Sequence, residues 1–206
     1  MSEPVTRGSG KMERWLAAQR CKQANRRIKP SLKRGTVVDI GCGSYPFFLL
    51  NSSFAHRIGL DRDVARHRDG LNETNLELID HDFNHTDRLP LADRSAEVVT
   101  MLAVFEHIPV DRLVPLLDEI DRVLKPGGQF VMTTPAAWTG PVLWTMTKLG
   151  LVSAEEIDEH EDSYSIRRIR RIIAGSAMRD YAARFGLFEF LMNIWGVLEK
   201  PPGEAS

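Results

Sequence analysis

VVDIGCGSYPF, residues 37–47, is the stretch on which the fold turns. A β-branched run reaches an acid, Asp39, and then two glycines two positions apart, Gly41 and Gly43. That order describes a buried strand, a tight turn and the start of a helix. Glycine permits positive φ and a close approach of backbone to ligand. Pro46 suits the first turn of the following helix, whose N–H groups would then face the ligand. A dinucleotide fingerprint, G-x-G-x-x-G, wants its third glycine where this chain has Pro46. The turn therefore reads as a ligand loop that departs from the dinucleotide pattern.

Outward from this turn, strand-like and helix-like pieces alternate. Strand candidates are TVVDI (36–40), HRIGL (56–60), LELID (76–80), AEVVTML (96–102) and GQFVMTT (128–134). PFFLLNS (46–52) and 111–124 are helix candidates, the second carrying Leu113, Leu116, Leu117, Ile120, Val123 and Leu124 at helical spacing. Asp111 is its expected N-cap and Pro126-Gly127-Gly128 its stop. Strands apolar on both faces suit a parallel sheet covered on both sides by helices. Two stretches near the end, 179–185 and 188–199, read as an antiparallel hairpin joined near Gly186. The fold class that follows is α/β: a doubly wound, seven-stranded, mostly parallel sheet with an antiparallel C-terminal edge hairpin. A basic helix is expected over 11–28, with Met12, Trp15, Leu16 and Ala18 as its buried stripe. SIRRIRRIIAG predicts another helix, with Ile166, Ile169 and Ile173 on one face.

The chain of 206 residues suits one domain. We read 1–10 as a flexible tail and 11–206 as a single domain, with an acceptor-side insertion over 136–164. Lys and Arg number 27 and Asp and Glu 28, a net charge of −1 that points to no nucleic-acid partner. Residues 1–34 nevertheless hold ten Lys/Arg and two Glu. That imbalance is read first as a solvated helix face. Two cysteines, Cys21 and Cys42, make neither a disulfide framework nor a metal spacing, which suits a reducing cytoplasm. The N-terminus lacks the apolar core of a signal peptide, and no apolar run reaches the roughly 18 residues of a membrane span. His56, His67, His81 and His85 show no metal-ligand spacing, so no metal is expected.

Acids at strand ends narrow the ligand. Asp61 follows Gly41 by 20 residues, where a carboxylate accepts hydrogen bonds from both ribose hydroxyls. Nicotinamide dinucleotides and S-adenosylmethionine share that feature. Asp82 at the third strand end can take the exocyclic amine of adenine, with Phe83 in contact beside it. Asp39 favours the sulfonium compound: it can hold the loop, and through it a cationic amino-acid end, whereas it would repel a pyrophosphate.

Taken together, VVDIGCGS, GLD (59–61), HDF (81–83), LPLADRSAEVVTMLAVFEHI (89–108) and LLDEIDRVLKPGGQFVMTTP (116–135) resemble class I S-adenosylmethionine-dependent methyltransferases, of the methyltransferase type-11 group. The resemblance is strong over 35–135 and looser to 200. It implies that Asp39, Gly41 and Gly43 line the methionine end and that Asp61 binds the ribose. Arg62 would cover the adenine, Asp82 and Phe83 would contact it, and Met101, Leu102 and Ala103 would line the cofactor near its sulfur. The implied cofactor is S-adenosyl-L-methionine, with S-adenosyl-L-homocysteine as product. Tyr45 stands where the family usually has a third glycine. His107 and Glu106, after the fourth strand, are the candidate catalytic pair: a base, or groups that orient the acceptor. Trp138, Trp144, His160 and Tyr164 are candidate acceptor contacts. The apolar stretch 136–151 is read as a lid, with a buried helix pair or a homodimer contact as the other readings. The expected activity is methyl transfer to a small molecule, lipid-linked and saccharide acceptors included. The alternatives are an NAD-dependent oxidoreductase and a non-catalytic binding module that keeps the fold.

Overall fold

The structure, a computed structural model, describes residues 11–64, 74–83, 88–136, 164–189 and 191–203, with side chains from residue 14 onward. Element order is α1 (Lys11–Arg27), a 3-10 turn (Pro30–Arg34), β1 (Thr36–Ile40), α2 (Phe47–Leu50), β2 (His56–Asp61), β3 (Leu76–Asp80) and β4 (Ala96–Leu102). A 3-10 turn (Phe105–His107), α3 (Val110–Val123) and β5 (Leu124–Pro135) follow. Then come α4 (Ile166–Ala174), a third 3-10 turn (Ala177–Asp180), β6 (Ala182–Phe188) and β7 (Asn193–Glu199). Seven strands form one sheet in the order β3-β2-β1-β4-β5-β7-β6. β1 to β5 pair in parallel; β7 runs antiparallel to β5 and β6 antiparallel to β7. The expected sheet is therefore present. Strand order reverses between β1 and β4, which opens a crevice at their carboxyl ends.

The period of two in each strand divides the core into two layers. Val38, Ile40, Leu60, Val99, Met101, Phe130 and Met132 pack with Leu113, Leu117 and Ile120 of α3 and Ile169, Ile172 and Ile173 of α4. Val37, Val98, Val131 and Val197 pack with Cys21, Ala24 and Ile28 and with Phe48 and Leu49 of α2. Both faces are thus covered, and the strands are apolar on both.

Several expectations are corrected. The buried stripe of α1 is Ala17, Cys21 and Ala24, continued by Ile28, while Trp15 is 49% exposed and Ala18 exposed. Small side chains allow the helix to lie close to the strands, and Trp15 falls on its opposite side. α3 starts at Val110 after Pro109, with no side-chain cap, so Asp111 sits inside the first turn, where its charge suits the helix dipole. The helix ends at Val123 and the chain is already extended at Leu124, before the Pro-Gly-Gly stop. The glycines serve an irregularity in the β4–β5 ladder instead. Gly127 has φ +77°, and a Cβ on Gly128 would lie 2.9 Å from the carbonyls of Glu97 and Lys125. Gly186 is not the hairpin turn. It lies inside β6 opposite Trp195, whose ring would be 2.6 Å from a Cβ there. The chain reverses beyond Phe188, where the Met192 N–H donates to the Glu189 carbonyl at 3.0 Å, and the Arg27 guanidinium lies over the Trp195 ring, 3.8 Å from its centroid.

Residues 1–10 and most of the 136–164 insertion lie outside the described residues. Among the described residues, no helix is long and apolar enough to cross a membrane.

Candidate functional site

The turn after β1 is built from two left-handed glycines, Gly41 (φ +71°) and Gly43 (φ +72°). Gly41 is constrained twice, since a Cβ there would also meet the Val104 side chain at 2.4 Å. The Gly41 N–H donates to the Leu60 carbonyl at 2.8 Å, and the Gly43 N–H donates to Asp61 Oδ2 at 2.9 Å. The other oxygen of Asp61 accepts from the Asp63 N–H at 3.0 Å. Asp61 is buried, yet each carboxylate oxygen keeps a free lone-pair direction after one backbone bond. It is Asp61, rather than Asp39, that holds the loop.

Asp39 is buried next to Thr100, its register partner on β4, whose Oγ1 donates to Asp39 Oδ1 at 2.5 Å. Burial pushes its carboxyl up to about 7; the Thr100 bond opposes this and the Asp61 charge adds to it. Neighbouring Val38 and Ile40 pack on the α3 face, so strand alternation puts Asp39 on the face that α1 covers, with Val37. Strand alternation explains the correction: Asp39 points across the sheet beneath the turn and not along it. Two buried carboxylates are thus tied to the glycine turn, Asp39 two residues before it in the chain and Asp61 through its bond to Gly43.

Cys42 is buried, with its sulfur 2.7 Å from where a Cβ on Gly59 would stand. Burial drives its thiol well above the ordinary range, so it packs rather than reacts. Pro46 immediately precedes the single turn of α2 and is buried, while Tyr45 is half-buried.

At the neighbouring strand ends, Arg62 is exposed, and Asp82 and Phe83 are half-buried beyond β3. Met101 is buried and Leu102 half-buried at the end of β4. Ala103 takes a left-handed φ of +57°, and its N–H donates to Thr133 O (2.9 Å) and Oγ1 (3.2 Å) on β5. This bend carries Val104 back over Gly41. The 3-10 turn that follows holds Glu106 buried, where it accepts a 3.0 Å hydrogen bond from Thr134 Oγ1, and His107 half-buried. Glu106 thus ties the turn to β5, leaving His107 as the more accessible of the two.

The structure brings Asp39, Gly41, Gly43 and Asp61 together, with Met101, Leu102 and Ala103 on the adjoining strand. It does not expose Tyr164. Tyr164 is fully buried, its ring lies 5.0 Å edge-on from Phe105, and its backbone bridges Ala136 just beyond the end of β5. Tyr164 is core, because its backbone bridges the chain just beyond β5, in the interior of the sheet. Trp138, Trp144 and His160 lie outside the described residues. Sequence reasoning missed Thr100, Val104, Thr133 and Thr134. For Thr100 a signal existed: strand alternation places it beside Asp39. Among the described residues, no group of three or more His, Cys, Asp or Glu side chains could hold a metal ion.

Comparison with known proteins agrees with this geometry. Residues 38–132 match the family model described as a methyltransferase domain. The ubiquinone/menaquinone biosynthesis C-methyltransferase UbiE of Rubrivivax gelatinosus is 33% identical over 99 residues, 45% of this chain and 39% of that protein. The chain thus matches about two-fifths of that relative's length. Among solved structures, a chain of the complex between the Haloferax volcanii Trm112 methyltransferase activator and a methyltransferase superposes with TM-score 0.67 at 22% identity, covering 93% of this chain and 91% of that one. A SAM-dependent methyltransferase from Archaeoglobus fulgidus gives TM-score 0.65 at 16% identity, with 89% and 94% coverage. One from Mesorhizobium loti gives 0.63 at 15%, with 90% and 100%. At these identities the likeness shows the fold.

Proposed function

We propose that this chain, whose residues 38–132 match the methyltransferase domain, is an S-adenosylmethionine-dependent methyltransferase acting on a small-molecule acceptor. The observation that carries the reading is the pair of buried carboxylates, Asp39 and Asp61, around a turn that only glycine can form. A pyrophosphate set against that turn would meet the charge of Asp61 and, above about pH 7, that of Asp39 as well, in a poorly solvated place. A ligand with a cationic amino-acid end and a ribose meets them favourably.

Gly41 and Gly43 admit the amino-acid end, and Asp61 offers its remaining lone pairs to the ribose hydroxyls. Asp82 and Phe83 flank the base, and Arg62 is placed to cover it. Met101, Leu102 and Ala103 line the middle of the crevice. The cofactor supplies an electrophilic methyl group on a sulfonium, with a neutral thioether as leaving group. What the protein contributes is alignment, which is worth up to about 7–11 kcal/mol in well-oriented systems. His107, at the mouth, orients the acceptor or removes its proton where the nucleophile carries one. The similarity to a quinone-biosynthesis C-methyltransferase favours a carbon as the methylated atom. Trp138, Trp144 and His160 belong to the acceptor side in this reading.

Calorimetric titration with S-adenosylhomocysteine and with NADH tests the cofactor. Micromolar binding of the first alone is expected; binding of NADH alone would assign an oxidoreductase, and binding of neither a non-catalytic module. Mass spectrometry of a metabolite and lipid extract, incubated with an isotopically labelled methyl donor, then identifies the acceptor.

A further inference from the structure

His81 is the residue immediately after β3, and its chemistry is unused by the reading above. Its N–H donates to the Asp61 carbonyl at 3.2 Å, which fastens it to the carboxylate-bearing end of β2. The imidazole is only 8% exposed, and its buried Nε2 has no hydrogen-bond partner among the described residues. Its ring meets Phe83 edge-on, 5.0 Å between centroids at 65°. Burial lowers its pKa, while Asp82 and Asp80 oppose that shift. An orphaned buried polar atom destabilises the fold. A phenylalanine at this place would pack against Phe83 without that cost. The chain instead keeps a polar atom unsatisfied on the residue that joins the Asp61 backbone to the Asp82–Phe83 pair, which the cofactor reading assigns to the nucleoside.

We propose that His81 is a binding residue of the nucleoside subsite, its buried Nε2 reserved for a hydrogen bond to the bound base or ribose. The inference rests on the cofactor reading and adds a residue to it. A neutral imidazole nitrogen serves as donor or acceptor according to tautomer, so it can match either a ring nitrogen or a hydroxyl. The edge contact also fixes the Phe83 ring, so one side chain both bonds the ligand and sets the wall beside it.

The test is calorimetric titration of wild type, His81→Phe and His81→Gln with S-adenosylhomocysteine and with 5′-methylthioadenosine, which lacks the amino-acid end. His81→Phe should weaken both ligands by the same factor, about tenfold for one lost hydrogen bond. His81→Gln should recover most of the loss. The ligand-free Tm of His81→Phe should stay level or rise, because the orphaned atom is gone. Wild-type affinity in His81→Phe would overturn the proposal. So would weakened binding accompanied by a lower ligand-free Tm, which marks a core histidine. If the variants do not fold, the ¹⁵N resonance of His81 Nε2 in the wild type should move on adding S-adenosylhomocysteine, and a still resonance overturns the proposal. A wild type that binds neither ligand sinks the cofactor reading itself, and this inference with it. Binding by wild type and His81→Phe alike sinks this inference alone.

Discussion

Replacing Asp39 with Asn should make the protein more stable at neutral pH. The Asp39 carboxyl moves from 3.8 to about 7 on folding, chiefly because burial disfavours its charge. Between those values the native state keeps a proton that the unfolded state has lost. Stability therefore falls as pH rises through that window, and above about 7 the full penalty applies. At about 1.4 kcal/mol per pH unit, the penalty is on the order of 4 kcal/mol. Asn cannot ionise, and its carbonyl can still accept from Thr100 Oγ1. The variant should match wild type near pH 4 and exceed it by a few kcal/mol at pH 8. Urea denaturation followed by tryptophan fluorescence, from pH 4.5 to 8.5, reads the difference directly. A gap that does not widen with pH, or a variant less stable than wild type at pH 8, would refute the reasoning. The same charge is expected to attract the amino-acid end of the cofactor. Affinity for S-adenosylhomocysteine at pH 8 should accordingly drop in the more stable variant, so that stability and binding move in opposite directions.

Other substitutions probe the supports of the site. Gly41→Ala forces a Cβ into Val104 at 2.4 Å on a backbone of φ +71°, so cofactor binding should be lost in calorimetry and Tm should fall. Thr134→Val removes the donor to Glu106 Oε2 and should cost about 1–3 kcal/mol in chemical denaturation. Arg122 holds the stretch before β4, donating to Leu89 O at 3.1 Å, Leu91 O at 2.8 Å, Asp93 at 2.7 Å and Glu119 at 2.6 Å. Arg122→Leu should cost about 2–3 kcal/mol, and Arg122→Lys should restore only part because a point ammonium cannot replace the fork. His107→Gln should reduce turnover while leaving the dissociation constant for S-adenosylhomocysteine unchanged; equal loss of both would place His107 in the fold rather than in the chemistry.

The local signals were reliable where one residue type has one physical use. Alternating β-branched runs fixed five strands to within a few residues, and the run from Asp39 to Gly43 located the ligand turn, because only glycine enters the left-handed region without cost. The motif set also pointed to the methyltransferase domain that residues 38–132 match. What misled was a residue type with two uses. Glycine's turn preference suggests a hairpin turn at Gly186, yet the residue clears room for Trp195. Helical spacing places Trp15 on the buried stripe of α1, yet the close approach of α1 to the sheet selects Ala17, Cys21 and Ala24.

The amino-acid order alone determined the strand sequence, the turn and the acids at its strand ends, since these depend on neighbours along the chain. Which acid does what was decided only in three dimensions. Asp39 turned out to be Thr100's partner beneath the loop, Asp61 the loop's anchor, Glu106 a tie to β5 and Tyr164 a core ring. Those roles depend on which strands lie side by side and which face each side chain takes, and contacts some 18 to 61 residues apart in sequence leave no local trace.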